Sequence, residues 1–237
     1  MALSNSFSRF ATYYSRNGLG ATIRRAALAV QRAAFSKGMV LLYCDLSDHI
    51  ARSLKTERYI TVEQKRSTAE LRQDDLEAIT SFWNPKLAHR HISERFAHGS
   101  VLWLIRSEDA LAGYGWTLQG STIEPHYFPL TQSDVHLFDF HVFPEYRGRG
   151  FNPMLVSHIL WRLAAEGSRR AFIEAAAWNR AQLSSLTRTP FLRFGRAIKW
   201  TFAGHTIVHW AGTTDVTTRE AADPFASFES GRIPNLK

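Results

Sequence analysis

The stretch that most constrains this chain is a strand that runs through two glycines into a helix. Residues 135–143 (Val-His-Leu-Phe-Asp-Phe-His-Val-Phe) read as its clearest strand. Pro144-Glu145-Tyr146-Arg147-Gly148-Arg149-Gly150-Phe151-Asn152-Pro153 follows, and an apolar helical pattern then runs to Glu166, stopped by Gly167. Asn152 is expected to cap that helix and Pro153 to be its first residue, where a missing N–H costs little. Gly148 and Gly150 let the backbone approach a ligand closely and take conformations closed to other residues. Amide groups of the turn and of the first helical turn converge on one concavity. The helix dipole adds partial positive charge there, and Arg147 and Arg149 add full charges. That combination suits a diphosphate. The competing reading is a basic strand-to-helix turn that binds nothing. No Gly-Lys-Ser or Gly-Lys-Thr follows, and no third glycine with a downstream acid, so nucleoside-triphosphate and dinucleotide loops fit worse.

Around this stretch, strands and helices interleave. Met39–Cys44, Tyr59–Val62, Val101–Ile105, Ala112–Leu118, Arg170–Ala177, Arg196–Phe202 and Thr206–Trp210 read as strands. A helix opens at Asp74-Asp75 with Leu76, Ile79, Trp83 and Leu87 as its apolar stripe, kinked or broken at Pro85. Another helix covers Arg180–Thr189. The pattern predicts an α/β or α+β layer fold with a mixed sheet. Ile23, Ala27, Val30 and Ala34 recur at helical spacing ahead of all this, with arginines between them.

Two segments together resemble the GNAT superfamily of coenzyme A-dependent N-acyltransferases. Arg147-Gly148-Arg149-Gly150-Phe151-Asn152 is similar to that family's diphosphate signature: Arg or Gln, two residues, Gly, one residue, then Gly or Ala. Val142-Phe143-Pro144-Glu145-Tyr146 matches its lead-in. Asn179, followed twelve residues later by Phe191, resembles the family's next conserved segment. Three positions depart from the pattern. Asn152 stands for Gly or Ala, Pro190 for the glycine before Phe191, and Leu186 for a tyrosine that often protonates the departing thiolate.

The resemblance implies a GNAT-like, mixed but mostly antiparallel sheet flanked by helices over residues 58–212. A basic extension (1–57, a helix plus a strand) precedes it and a C-terminal tail (213–237) follows. It implies acetyl-CoA or another acyl-CoA as co-substrate, no metal, and direct attack by a primary amine. Val142, Arg147, Gly148, Arg149, Gly150, Phe151, Asn152 and Asn179 would bind the CoA. Alternatives are transfer of a longer acyl chain from CoA or an acyl carrier protein, and a non-catalytic CoA-binding module.

An attacking ammonium must first lose a proton. Asp139, His141 and, on the next strand, Glu174 are the candidates to receive it; each is equally readable as a polar group satisfied within the sheet. Strict alternation puts Asp139 and His141 on one face and His136 on the other. Tyr127 or Tyr146 would then be left to protonate the thiolate, or to pack. The resemblance implies that the acceptor is bound by residues 74–100 and 119–134. That region holds Trp83, Arg90, His91, Arg95, His126, Tyr127 and Phe128, a mixture suited to an anionic amine.

Composition decides the partners. Six of the net +8 charges (Arg9, Arg16, Arg24, Arg25, Arg32 and Lys37) precede residue 45, where there is no acid. The folded part is therefore close to neutral, and nucleic acid is not expected as a partner. The basic arm suits a transit peptide, a membrane surface, an acidic carrier protein, or packing on the domain. A homodimer is compatible with the resemblance. The sole cysteine, Cys44, excludes an internal disulfide, fits a reducing, cytoplasmic setting and reads as a small buried side chain. His89, His91 and His98 lack the cysteines or paired acids of a zinc site.

Overall fold

The computed structural model describes residues 38–47, 59–81, 85–122, 130–202 and 205–212. Within them lies one eight-stranded sheet. Its strands are β1 (Gly38–Asp45), β2 (Ile60–Lys65), β3 (Val101–Ser107), β4 (Ala110–Gln119), β5 (Asp134–Val142), β6 (Arg170–Ala176), β7 (Leu192–Phe202) and β8 (His205–Gly212). Their spatial order is β2-β3-β4-β5-β6-β1-β7-β8. Among the described strands only β5 and β6 run parallel; the other neighbours are antiparallel.

Among the described residues four α-helices flank the sheet: α1 (Gln73–Thr80), α2 (Pro85–Ala97), α3 (Phe151–Ala165) and α4 (Arg180–Leu186). Sequence periodicity expects a helix from Asp74 that is kinked or broken at Pro85. The structure has two, because Pro85 opens α2, where its missing N–H is harmless. Leu87 consequently leaves the buried stripe and is 48% exposed. Trp83, and the helix expected from Ala21 to Ser36, lie outside the described residues.

The sheet's two faces carry separate cores. On one, Leu155, Val156, Ile159, Leu160 and Leu163 of α3 pack on Val135, Leu137, Ala171, Ile173 and Val40. On the other, Ile79 of α1 and Ile92 of α2 pack on Leu102, Leu104, Tyr114 and Trp116. A buried ion pair fixes α1 to the sheet: Arg106 donates to Asp75 through Nη2 and to Glu63 through Nε. Removing one partner of such a pair strands a buried charge, at a cost of about 3–5 kcal/mol.

β1 comes from the segment ahead of residue 58, yet it sits inside the sheet. It pairs along its whole length with β6 (Met39↔Ala176 through Asp45↔Arg170) and on its other side with β7. Its apolar run serves both faces: Val40 and Leu42 face α3, while Leu41 joins Phe172 and Phe194 on the other side.

A chain beginning at residue 58 would expose two unpaired strand edges and lose part of the α3-side core and the packing of Leu41 on Phe172 and Phe194. It is expected to be insoluble or to unfold without a cooperative thermal transition, whereas a chain beginning at residue 37 retains one. Calorimetry of the two truncations checks this.

Candidate functional site

The site is built where β5 and β6 part. Their parallel ladder starts at Asp134↔Arg170 and ends at Leu137↔Ile173. At the closed end, Arg170 donates to both carboxylate oxygens of Asp134, at 2.8 and 2.9 Å, and Asp134 also accepts from the Thr131 N–H. Beyond Leu137, β5 continues to Val142 against β4, and β6 continues to Ala176 against β1. Two strand edges therefore diverge within one sheet and leave a wedge between them.

A β-bulge shapes the β5 side of the wedge. Tyr114 pairs with His141 and Trp116 with Phe138, so Gly115 alone opposes Asp139 and Phe140. Asp139 takes φ 51, the left-handed region that an ordinary strand residue avoids. The Phe140 ring lies over Gly115; a Cβ there would collide with the ring. The bulge also inverts the side-chain alternation. Phe138 and Phe143 pack with the α1–α2 core, while Phe140 and Val142 pack toward α3. His136 stacks on Phe138 and His141 stacks on Tyr114, so both histidines lie on the α1–α2 face. The expectation that strict alternation separates them is corrected: the extra residue cancels one step of the period.

Above the wedge, the glycine turn opens α3. Gly150, at φ 86, is its N-cap residue, and Gly148 takes φ 78. Both positions border open space. Arg147 and Arg149 are exposed. Arg147 donates through Nε to the Val142 carbonyl at 3.1 Å, and the Arg149 guanidinium lies over the Tyr146 ring. The expected cap is corrected too. α3 begins at Phe151, so Asn152 is its second residue and Pro153 its third. Pro153 is tolerated because the first-turn N–H groups have no partner within the helix. Instead of capping, Asn152 donates through Nδ2 to Ser185 Oγ at 2.8 Å, tying α3 to α4. Phe151 is buried, edge-on to Tyr146.

The three expected proton acceptors sit in different settings. Asp139 is ion-paired with Arg95 of α2, at 2.5 Å, and that guanidinium also lies over Trp116 and Phe138. His141 is held below the ordinary imidazole value by burial and then by the nearby Arg147 charge. Glu174 accepts or shares a 2.7 Å hydrogen bond with His136 Nε2, across the vertex of the wedge. Sequence reading set His136 aside; only the bond to Glu174 brings it to the site. Two strand residues 38 positions apart leave no local signal of such a pairing.

Asn179 is the N-cap residue of α4. Its Oδ1 accepts from the Gln182 N–H and its Nδ2 donates to Gln182 Oε1. Leu186 is wholly buried in the α3-side core, and Tyr146 is partly buried between the two cores. Tyr127, His126 and Phe128 lie outside the described residues. Cys44 is buried, and burial with the neighbouring Asp45 pushes its thiol up to about 12, consistent with a packing role. Among the described residues no group of His, Cys, Asp and Glu is arranged to hold a metal ion, and no helix is long and apolar enough to cross a membrane.

A mixed sheet parted at its parallel pair, with a glycine-opened helix beside the opening, is the GNAT-type fold. The sequence matches the profile of the acetyltransferase (GNAT) family over residues 67–186. The chain belongs to that family. Among solved structures, a tandem GNAT protein from the clavulanic acid biosynthesis pathway is 14% identical, with a TM-score of 0.50 over 78% of this chain and 57% of that one. The glucosamine N-acetyltransferase region of a fungal multi-domain GH3 β-N-acetylglucosaminidase is 15% identical, with a TM-score of 0.50 over 73% of this chain and 22% of that one. A GNAT-family acetyltransferase from Colwellia psychrerythraea is 11% identical, with a TM-score of 0.49 over 66% and 52%. The chain thus spans less than two thirds of each of these structures, and at such identities the likeness is one of fold. No curated protein matches the sequence.

His141 yields a test of the site's electrostatics. Its pKa in the fold lies below the value of about 6.5 that it has in the unfolded chain. As pH falls below that value the unfolded chain takes up the proton and the folded one does not, so stability is lost on acidification and is fully present above it. His158 acts in the same sense, through burial and then Arg162. The free energy of unfolding in urea is expected to drop between about pH 7 and pH 5, and His141→Phe to make that drop smaller. An imidazole resonance of His141 titrating at or above the free value would contradict this.

Proposed function

We propose that this protein transfers an acyl group, acetyl in the first instance, from coenzyme A to a primary amine by direct attack within the wedge. The observation that carries the reading is the parting of β5 and β6 beneath the Gly148–Gly150 turn. A pantetheine arm carries amides that need backbone partners, and two diverging strand edges offer them. The diphosphate would lie against the turn and the α3 N-terminus, held by Gly148, Gly150, Phe151 and Asn152 through the backbone and by Arg147 and Arg149 through charge. The open space at both glycines supports that fit. Val142 and Asn179, at the ends of β5 and β6, would flank the arm.

The chemistry needs little else from the protein. The amine nitrogen attacks the thioester carbon, the C–N bond forms, the C–S bond breaks, and the thiolate leaves. Backbone N–H groups around the bulge would stabilise the oxygen as it gains charge. With Leu186 buried in the core, Tyr146 is the described tyrosine nearest the turn and the candidate proton donor to the thiolate. Asp139 with Arg95 would border the acceptor pocket, and the guanidinium suits an amine that also carries a carboxylate or phosphate. The lone, buried cysteine fits a reducing cytoplasm.

Gly150→Asp places a carboxylate in the cradle and a side chain on a left-handed backbone. Arg147→Ala removes one charge-assisted contact, which is worth about 1.5–3 kcal/mol. Acetyl-CoA is therefore expected to bind about 10–100-fold more weakly to Arg147→Ala, and more weakly still to Gly150→Asp. Titration calorimetry measures both, with circular dichroism to verify folding. Unchanged affinity in both variants, or no heat with the parent protein, would overturn the reading. Replacing acetyl-CoA by long-chain donors decides the acyl length. Binding without thiol release across an amine panel would favour a non-catalytic module.

A further inference from the structure

The Arg95–Asp139 pair differs from two buried ion pairs of the same fold. Arg106 is 3% exposed and donates to Glu63, to Asp75 and to the Asp109 carbonyl. Asp134 is 1% exposed, and Arg170 engages both of its oxygens. Saturated pairs of that kind hold elements together. Arg95 and Asp139 meet through a single bond, Nη1 to Oδ2, at 2.5 Å. Among the described residues the remaining guanidinium N–H groups and Asp139 Oδ1 make no hydrogen bond. Their side chains are 21% and 31% exposed, so both are open at one side.

Both groups are nevertheless held in place. The guanidinium carbon lies 5.1 Å from the Trp116 ring centre and 5.3 Å from that of Phe138. Asp139 is set by the bulge at φ 51, a strained conformation of the kind that gathers at ligand sites. It stands two residues past Leu137, where the β5–β6 ladder ends, on the edge that borders the wedge. An acceptor held there is beside the place where the thioester is delivered.

We propose that this pair reads the acceptor as a zwitterion, a free α-amino acid acylated at its α-amine; this rests on the acyl-transfer reading above and names its substrate class. The pair's own net charge is zero. A simple anion gains at Arg95 and loses at Asp139, and a simple cation does the reverse. An α-amino acid carries both charges on one carbon and gains at both. Its planar carboxylate matches the guanidinium fork, and its ammonium donates to Asp139 Oδ1. A phosphate would bring nearly two negative charges beside the Asp139 carboxylate, so the carboxylate is the better match.

On transfer, the ammonium gives one proton to solvent and the nitrogen forms the C–N bond to the thioester carbon. The C–S bond breaks, sulfur leaves with that electron pair, and it takes a second nitrogen proton. The sum is one N-acetyl amino acid, one free thiol and one released proton. The product keeps its carboxylate on Arg95 but has no ammonium for Asp139, which favours its release.

The test uses the full chain with acetyl-CoA, and as acceptors the standard α-amino acids, each beside its carboxamide. For the best amino acid, KM is expected to lie about 10–100-fold below that of its carboxamide, which keeps the amine and lacks the carboxylate. Arg95→Gln should remove that preference, raising KM for the acid by the same factor and for the carboxamide by no more than about threefold. Arg95→Lys, which keeps the charge without the fork, should restore part of it. Asp139→Asn should raise KM for acid and carboxamide alike, since both present an ammonium. Affinity for acetyl-CoA should stay within about twofold in all three variants. A parent that takes the carboxamide as well as the acid, or an Arg95→Gln that raises both KM values equally, would overturn the proposal. If Arg95→Gln does not fold, Arg95→Lys decides on the same criteria. If the parent binds no acetyl-CoA, or acetylates no amine at all, the acyl-transfer reading fails first and takes this proposal with it. If it acetylates peptide N-termini or polyamines but no free amino acid, only this proposal fails.

Discussion

The Asp134–Arg170 pair closes one end of the only parallel ladder among the described strands, and the site exists because that ladder is not allowed to continue. A bidentate bond anchors the first register position, three residue pairs follow, and beyond them each strand keeps only its outer neighbour, β4 for β5 and β1 for β6. Parallel strands held on both sides normally zip to their ends, because each unmade backbone bond is costly away from water. Here the bulge at Asp139 bends β5 out of register with any continuation of β6. An opening of this kind is stable only when something polar fills it, whether solvent or the amides of a ligand. The structure thus carries its binding site as an interrupted ladder, not as a cavity between side chains.

How far this was legible beforehand depends on the range of the signal. The glycine turn was readable because it is local: two glycines at positive φ, with only eight residues between the strand that ends before them and the helix that begins beside them. Most strands were readable from apolar runs. The bulge was not, because period-2 alternation contains no marker for an added residue, and Gly115, which makes room for Phe140, sits on a different strand. The same blindness put His141 on the face opposite His136, whereas both lie on one face. Asn152 was misread as a cap because its role depends on Ser185, 33 positions away. A kink or break at Pro85 was legible, but not that the proline opens a second helix.

β1 poses a related problem. An apolar strand following a basic, acid-free arm looks like an appendage, and nothing in its composition says that it lies between β6 and β7. Its insertion matters for the site, since β1 is the strand that pairs with β6 beyond the last β5–β6 register position. The pairing Met39↔Ala176 lies near the level at which the wedge is open. The strand that precedes the family-matched region therefore contributes to the geometry that region relies on.

The bulge also explains why polar groups that alternation would scatter converge on one face. Without the added residue, His141 would point into the α3 core and Phe140 toward α2. With it, the α1–α2 face gains His141 beside Tyr114, keeps His136 beside Phe138, and receives the Asp139 carboxylate at the reach of Arg95. The α3 face gains Phe140 and Val142 as apolar lining behind the turn. One residue in the left-handed region thereby sorts charge from hydrocarbon across the sheet. That strained residue costs of order 1–3 kcal/mol, and it coincides with the Arg95 ion pair and with the packing of His141 on Tyr114. Backbone strain at Asp139 and the clustering of titratable groups on one side of the wedge are accordingly one feature, and a substitution that relaxed the first would disperse the second.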